Sequence, residues 1–225
     1  MKKNCLLCFL LFFSCHSALA GESLDSLLNV LDKTIKEADT YVQIKENKLH
    51  ELKREARKTA PLSIERYHLN NDIYLEYKAY SSDSALHYLN ENMLLARQLN
   101  DKERELKIQL ELSYLLSSIG MYMEAADILN SIDRQTLPSS LLGHYYTCYE
   151  HVYFEAGAAQ PRYKMFASRY VKLSHAYRDS MQITLDPSSA TYLWLRETQL
   201  REAGKYDEAL EFSDRRLAES SFGTP

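Results

Sequence analysis

The chain has few of the residues that would define a catalytic or covalently linked framework. Its 225 residues include only four cysteines, five prolines, six glycines and one tryptophan. It contains no glycine-rich phosphate loop, no His-Glu-x-x-His zinc motif and no Ser, His and Asp arrangement with motif support. Alternating apolar and polar runs between turn dipeptides are nearly absent, which argues against β-strands. We therefore predict an all-α chain that is not an enzyme and holds no cofactor or metal.

The N-terminal segment, from Met1 to Ala20, has the features of a secretory signal peptide. Lys2 and Lys3 form the charged start, an apolar run follows, and the segment ends on the small residues Ala18 and Ala20. This pattern predicts cleavage after Ala20 and a periplasmic location. The alternative is a lipid anchor at Cys15, although the two phenylalanines before Ser14 fit a lipoprotein signal poorly.

Removal of the signal peptide changes both the charge and the cysteine content. Without Lys2 and Lys3, 25 basic residues remain against 31 acidic ones, a net charge of about −6. Nucleic-acid binding needs a basic stripe, so no nucleic-acid partner is predicted. Three of the four cysteines leave with residues 1–20, and Cys148 then has no partner for an intramolecular disulfide.

A turn motif occurs twice in nearly the same form. It reads Gly-Met-Tyr-Met-Glu-Ala from Gly120 and Gly-Lys-Tyr-Asp-Glu-Ala from Gly204. Aligning the chain on the small residue of this motif gives four alanines at nearly even intervals, namely Ala85, Ala125, Ala167 and Ala209. An alanine suits the point where two helices cross most closely. The sequence therefore predicts four helical hairpins within residues 61–225, at about 62–100, 101–137, 139–185 and 188–220.

The hairpin model also predicts the individual helices. The first helices are expected at Leu62–Tyr80, Asp101–Ile119, Ser139–Ala156 and Ser188–Ala203, and the second helices are expected to begin near Asp83, Tyr122, Arg162 and Tyr206. Four of the five prolines fall where these helices begin or end.

A different helix is predicted before the hairpins, in residues 21–60. Small and apolar residues recur there at alternating spacings of four and three, interrupted by Lys45: Leu24, Leu28, Leu31, Ile35, Ala38, Val42, Leu49, Leu52 and Ala56. The amphipathic helix, Ser23 to about Lys58, would be roughly 50 Å long. It either folds back and caps the first hairpin or forms a homodimer seam through residues 24–56.

The repeated motif resembles the tetratricopeptide repeat, which carries Gly-x-Tyr-x-x-Ala across its turn. The segment from Leu106 to Ser139 fits this repeat best, and the segment from Ala190 to Gly223 keeps its glycine, tyrosine and alanine. The resemblance implies an α-solenoid of antiparallel helical hairpins. The alanines of successive repeats lie further apart here than in the family's usual unit, so the helices or turns are longer.

A narrower resemblance rests on three softer segments, which begin at Leu24, Tyr41 and Ser82. They are similar to exported repeat proteins of Bacteroidetes that carry a domain of unknown function. Relatives of that kind typically continue into a membrane-spanning helix and a regulatory region in the cytoplasm. The resemblance therefore implies a membrane tether if the chain continues beyond residue 225.

Tetratricopeptide geometry also implies a concave groove on the first helices, where an extended protein or peptide ligand would bind. The expected partner-binding residues are Lys107, Leu110, Tyr114, His144, Thr147, His151, Trp194 and Arg201, with Ser117, Phe154, Thr191 and Thr198 at equivalent positions. Trp194 and Tyr114 would be apolar anchors, and Lys107 or Arg201 would bind a carboxylate. The alternative for Trp194 and the tyrosines is packing between repeats.

Two other groups of residues have simpler interpretations. His144, Cys148 and His151 share one helical face and offer three metal ligands, but a fourth is missing. Glu103, Glu105 and Glu111 are expected on a solvated helix face. The function predicted from the sequence is thus a periplasmic protein-binding scaffold, and the alternative is the sensory domain of a membrane-tethered regulator.

Overall fold

The fold is taken from a computed structural model, which describes residues 24–159 and 162–219. The predicted signal peptide and the alternative anchor at Cys15 lie outside these residues. Within them the chain is helical, with short turns and no strand. No helix in these two ranges combines the length and apolar character needed to cross a bilayer.

Ten α-helices and one 3₁₀ turn follow one another in the described part of the chain. The helices are α1 (24–36), α2 (Ala38–Lys58), α3 (Ile64–Tyr77), α4 (Ser82–Gln98), α5 (Lys102–Ser118), α6 (Tyr122–Ser131), α7 (Ser139–Ala158), α8 (Lys164–Thr184), α9 (Ala190–Glu202) and α10 (Tyr206–Glu219), and the 3₁₀ turn is Arg134–Thr136. The predicted helices of the four hairpins correspond to α3 through α10.

The chain divides into two compact units, the first ending at Arg54 and the second beginning at Glu55. In the first unit, a turn at Glu37 interrupts the single helix predicted from Ser23. The apolar residues of α1 are exposed, including Leu31 at 53% and Ile35 at 62%, whereas Leu49 in α2 is only 1% exposed. The predicted apolar seam therefore has an exposed beginning and a buried end.

The second unit consists of four hairpins, α3/α4, α5/α6, α7/α8 and α9/α10, and the two helices of each pack against each other. Successive hairpins are joined by packing of α4 on α5, of α5 and α6 on α7, and of α8 on α9. Within residues 55–159 and 162–219, the regular elements of this unit are α-helices and the 3₁₀ turn. The arrangement confirms the predicted α-solenoid of helical hairpins.

The repeated glycine forms the same turn in both copies of the motif. Gly120 and Gly204 have φ angles of 89° and 75°, in the left-handed region that a residue without Cβ adopts most easily. In each copy the next residue's N–H donates to a carbonyl five residues earlier, from Met121 to Leu116 and from Lys205 to Leu200, both at 2.9 Å. This is the Schellman closure of a helix C-terminus. It allows the second helix to fold back directly on the first.

The motif alanines lie where the helices of a hairpin meet. Ala85 and Ala125 are 0% exposed and Ala209 is 6% exposed. The Ser113 hydroxyl donates to the Ala125 carbonyl at 3.0 Å, which ties α5 to α6. In the third hairpin, Gly143 of α7 lies at the tightest approach, since a Cβ added there would lie 2.8 Å from Leu185 Cδ2 and 3.3 Å from the Thr184 carbonyl oxygen.

Tyrosine packing between α7 and α8 accounts for part of the unusually high tyrosine content. The rings of Tyr149 and Tyr177 stack with centroids 4.7 Å apart, and Tyr153 stacks on Tyr177 at 5.8 Å. The Tyr149 hydroxyl donates to Asn130 Oδ1 at 2.9 Å. These tyrosines therefore pack between the two helices of the third hairpin, and Tyr149 also links that hairpin to the second.

Candidate functional site

A cavity of about 530 Å³ lies within the second unit and is formed mainly by the first helices of the hairpins. Its lining comprises Lys78 at the end of α3, Tyr114 of α5, six residues of α7 (His144, Thr147, Glu150, His151, Phe154 and Glu155), Ala190, Thr191 and Trp194 of α9, and Arg216 of α10. Its volume falls in the range of about 300–1,000 Å³ that is usual for ligand sites. We call it the first-helix cavity.

The structure brings together five of the eight predicted groove residues: Tyr114, His144, Thr147, His151 and Trp194. Phe154 and Thr191, from the equivalent positions, also line the cavity. Lys107 and Arg201 are exposed and lie outside the lining. These two cations are therefore not placed to bind a carboxylate inside it.

Leu110 does not belong to an accessible groove. Its side chain is 0% exposed and lies in the hydrophobic core that includes Cys148. The Cys148 thiol donates to the Leu110 carbonyl at 3.3 Å. The helix position assigned to the groove thus faces the packed interface between α5 and α7, because α7 covers that side of α5.

Glu111 corrects the prediction of a solvated glutamate face. Its carboxylate accepts hydrogen bonds from the Tyr74 hydroxyl at 2.6 Å and from Lys78 Nζ at 3.2 Å, and His144 Nε2 lies 3.7 Å away. Glu105 fits the prediction better, since it pairs with Lys102 at 2.8 Å and Arg97 at 2.9 Å on the surface of the protein. Glu111 is instead the partner that fixes Lys78 beside the cavity.

Burial and charge act in opposite directions on Glu111. Desolvation alone would raise its pKa, but the positive charge of Lys78, the neighbouring His144 and the hydrogen bonds from Tyr74 and Lys78 together hold the pKa below its usual value. For His144, burial lowers the pKa, although Glu111 acts in the opposite direction. At neutral pH an ionised Glu111 carboxylate therefore lies beside the neutral imidazole of His144.

His151 is held by ring stacking. Its imidazole stacks on Tyr114 with the ring centroids 4.0 Å apart and an interplanar angle of 11°, and its Nε2 lies 2.9 Å from the Ser118 hydroxyl. Burial, with a further contribution from the charge of Lys78, lowers the pKa of His151 to about 4. The imidazole is therefore neutral at pH 7. It contributes an uncharged aromatic ring with polar nitrogen atoms to the lining of the cavity.

The three metal ligands considered from the sequence do not converge. His144 and His151 line the cavity, but Cys148 is fully buried in the core and burial raises its pKa well above the usual value. Within the described residues, no group of three or more His, Cys, Asp or Glu side chains is arranged to hold a metal ion.

A buried ion network supports the cavity wall and was not anticipated from the sequence. The Arg178 guanidinium donates to Glu150 at 2.8 Å and to Glu202 at 2.8 Å, and Ser174 donates to Glu150 at 2.9 Å. Arg178 and Glu150 are 3% and 2% exposed. These two residues are 28 positions apart in the chain. Their ion pair cannot be predicted from the sequence, because only pairs three or four positions apart on one helix have a recognisable spacing. The network links α7, α8 and α9 around the Glu150 side of the cavity.

Trp194 lies where core packing and the cavity meet. Its half-buried indole packs against the hydrophobic core and also lines the cavity. Phe154 is 45% exposed and lies on the same lining. The cavity thus has two aromatic side chains that remain partly open to solvent.

Helical hairpins that repeat the Gly-x-Tyr-x-x-Ala turn, and whose first helices enclose a cavity, define a tetratricopeptide-type α-solenoid. The chain belongs to the family described as the SusR N-terminal TPR domain, whose model matches residues 35–225. This match confirms the predicted relationship to tetratricopeptide and Bacteroidetes repeat proteins. No curated protein and no solved structure matches the chain. Tetratricopeptide domains generally bind other proteins and are non-catalytic.

Proposed function

We propose that the chain is a periplasmic scaffold that binds a protein or peptide in the first-helix cavity. The observation that carries this proposal is the convergence of Tyr114, His151 and Trp194, which come from three separate hairpins, on one cavity. Aromatic anchors in concave sites provide much of the energy of protein recognition. In this role the protein has no catalytic residues.

The test compares partner capture by the unaltered chain and by two cavity variants. Trp194→Ala removes an aromatic wall, and Thr191→Tyr fills the cavity without removing any packing. Tyr163→Ala is the matched control, because Tyr163 is 65% exposed and lies outside the cavity lining. We expect both cavity variants to lose crosslinked partners that the control retains, while far-UV circular dichroism stays unchanged.

Folded cavity variants that capture the same partners as the control would contradict the proposal. Trp194 also packs against the core, so its truncation is expected to lower the melting temperature as well. Thr191→Tyr then becomes the decisive variant, since it tests occupancy of the cavity without creating a hole.

The family match favours a second function, that of the sensory domain of a membrane-tethered regulator. In this role the cavity would still bind a ligand, but binding would change the activity of an attached segment. Reading the gene beyond codon 225 separates the two functions. A membrane-spanning helix followed by a regulatory region favours the sensor, and a stop codon favours the scaffold.

We also propose that a second copy of the chain covers the exposed apolar face of residues 24–42. Leu28 and Leu31 are 49% and 53% exposed and lie in heptad register. In a parallel coiled coil of α1 the flanking acids Asp25 and Asp32 would face uncharged residues of the other helix, so no like charges meet. Leu49 is already buried within a single chain and is not available to a second copy. The proposed interface is therefore limited to the first part of the predicted 24–56 seam.

A further inference from the structure

The cations on the first-helix cavity already have partners. Lys78 Nζ lies 3.2 Å from Glu111 Oε2 and 4.6 Å from the centre of the Tyr114 ring. Arg216 Nη2 lies 2.9 Å from Glu197 Oε2. Each of these two cations thus lies beside a carboxylate that neutralises it, while the buried Arg216 Nε has no hydrogen-bond partner among the described residues.

The lining itself has two cations, Lys78 and Arg216, and two carboxylates, Glu150 and Glu155, and the groups that pair with them add one cation and three carboxylates. Lys78, Arg178 and Arg216 are three positive groups. Five acids pair with them or line the cavity, namely Glu111, Glu150, Glu155, Glu197 and Glu202. Four of these carboxylates are paired with the cations. The carboxylate of Glu155 has no ion-pair partner in residues 24–159 and 162–219, so this lining has one negative charge without a partner.

The aromatic lining also favours a positive charge. Phe154 already has the Arg178 guanidinium 5.9 Å from its ring centre, but it remains 45% exposed. Trp194 has no cation over its ring among the described residues, and an indole is the side chain that binds cations best through its face. Phe154, Glu155 and Trp194 all line the cavity, so aromatic side chains and the unpaired carboxylate share one lining.

From these contacts we propose that the first-helix cavity anchors a lysine or arginine side chain of the bound partner. The cation would pair with Glu155 and contact the Trp194 and Phe154 rings, while the ligand backbone lies along the polar lining. This inference rests on the proposed binding function and specifies its ligand as a basic peptide. A cavity of about 530 Å³ has room for an anchor residue and its neighbours, not for a folded domain.

The experiment uses four capped pentapeptides that differ only in a central lysine, arginine, glutamine or glutamate. Trp194 is the only tryptophan of the chain, so its fluorescence reports directly on the cavity. Peptides are titrated to about 10 mM at low ionic strength, which detects even millimolar affinity. We expect the lysine and arginine peptides to bind about threefold to tenfold more tightly than the glutamine peptide, as one ion pair and one cation–π contact allow.

Glu155→Gln is the test variant and Glu103→Gln is its matched control, since Glu103 is exposed on α5 and lies outside the cavity lining. The preference for lysine and arginine should fall to less than about twofold in Glu155→Gln and persist in Glu103→Gln. Equal binding of all four peptides, a preference for glutamate, no saturable binding, or a preference retained in Glu155→Gln would each overturn the basic-peptide inference.

Partner capture separates this inference from the binding function itself. If Thr191→Tyr abolishes capture but the peptides show no basic preference, the cavity is a binding site for another class of peptide. If Thr191→Tyr leaves capture unchanged and no peptide binds, the binding function and its basic specificity both fail.

Discussion

Glu111 and His151 show how burial changes the behaviour of titratable residues in this protein. Glu111 follows the charged residues at the start of α5, yet it pairs with Lys78, which is 33 residues away in the chain. Neither periodicity nor local charge spacing indicates such a partner. Residues on a helix can therefore be assigned a face from the sequence, but their ion partners depend on how the hairpins pack.

The depressed pKa of His151 predicts a loss of stability in acid. Its value of about 4 in the folded chain lies below the ordinary value of about 6.5, so the unfolded chain takes up a proton first as the pH falls. Stability is therefore fully present above pH 6.5 and is lost as the pH falls towards 4. We expect a loss of about 1 to 3 kcal/mol from this residue, with an allowance for its partial exposure.

Urea unfolding at pH 7 and pH 4 measures this effect. His151→Phe keeps a ring beside Tyr114 but cannot be protonated, so its stability should fall less over this interval. His175→Phe, at an exposed position of α8, should retain the dependence of the unaltered chain. Equal pH dependence in His151→Phe and the unaltered chain would show that His151 does not couple protonation to folding.

At the scale of the helices, the turn glycines and crossing alanines are the features that the sequence predicts best. The turn needs a glycine in the left-handed conformation, and the helix crossing needs a small buried residue. Both requirements fix a residue type at a given position of the motif, so the sequence shows them directly. The third hairpin departs from this pattern, because its tightest approach is at Gly143 on its first helix and Ala167 is only half-buried. The burial of Ala125 leads to a direct prediction.

Ala125→Leu should destabilise the second hairpin, since Ala125 is 0% exposed and its carbonyl accepts the Ser113 hydrogen bond. The expected cost is about 1 to 3 kcal/mol, or a fall of about 2 to 12 °C in melting temperature. Ala176→Leu is the matched control, because Ala176 lies at an exposed position of α8. Similar melting curves for the two variants would place the crossing of α5 and α6 elsewhere.

The exposed seam of α1 leads to a second prediction at the same scale. Leu31→Asp should abolish concentration-dependent dimerisation, because it places a charge at an apolar heptad position. Leu75→Asp is a matched control, since both leucines are 53% exposed. Sedimentation velocity measures the result. A monomeric unaltered chain, or a dimer that persists in Leu31→Asp, would contradict the proposed interface.

At the scale of the molecule, the sequence predicts the repeat architecture more completely than the cavity. Tyr114, His144 and Trp194 follow from the repeat register, which specifies the inner side of each first helix. Lys78 and Arg216 line the cavity from outside that register, and Leu110 is buried within it. The difference arises because the register of a helix follows from its own sequence, whereas side-chain exposure depends on the helix packed over it.

The predicted export can be tested on the whole protein. We expect the mature chain recovered from the periplasm to begin at Gly21, because Ala18 and Ala20 provide the small residues that signal cleavage requires. Mass spectrometry of the mature N-terminus measures this directly. A lipid-modified Cys15 would instead show an envelope-anchored protein, and an uncleaved chain in the cytosol would contradict export.

The burial of Cys148 has a consequence for measuring motion in the folded protein. Cleavage after Ala20 would leave it as the sole thiol, enclosed between α5 and α7 and bonded to the Leu110 carbonyl. A thiol reagent can react there only during moments when these two helices separate. The rate of labelling would therefore measure how often α5 and α7 separate in the folded protein. Slower labelling in the presence of a ligand would show that binding makes this separation rarer.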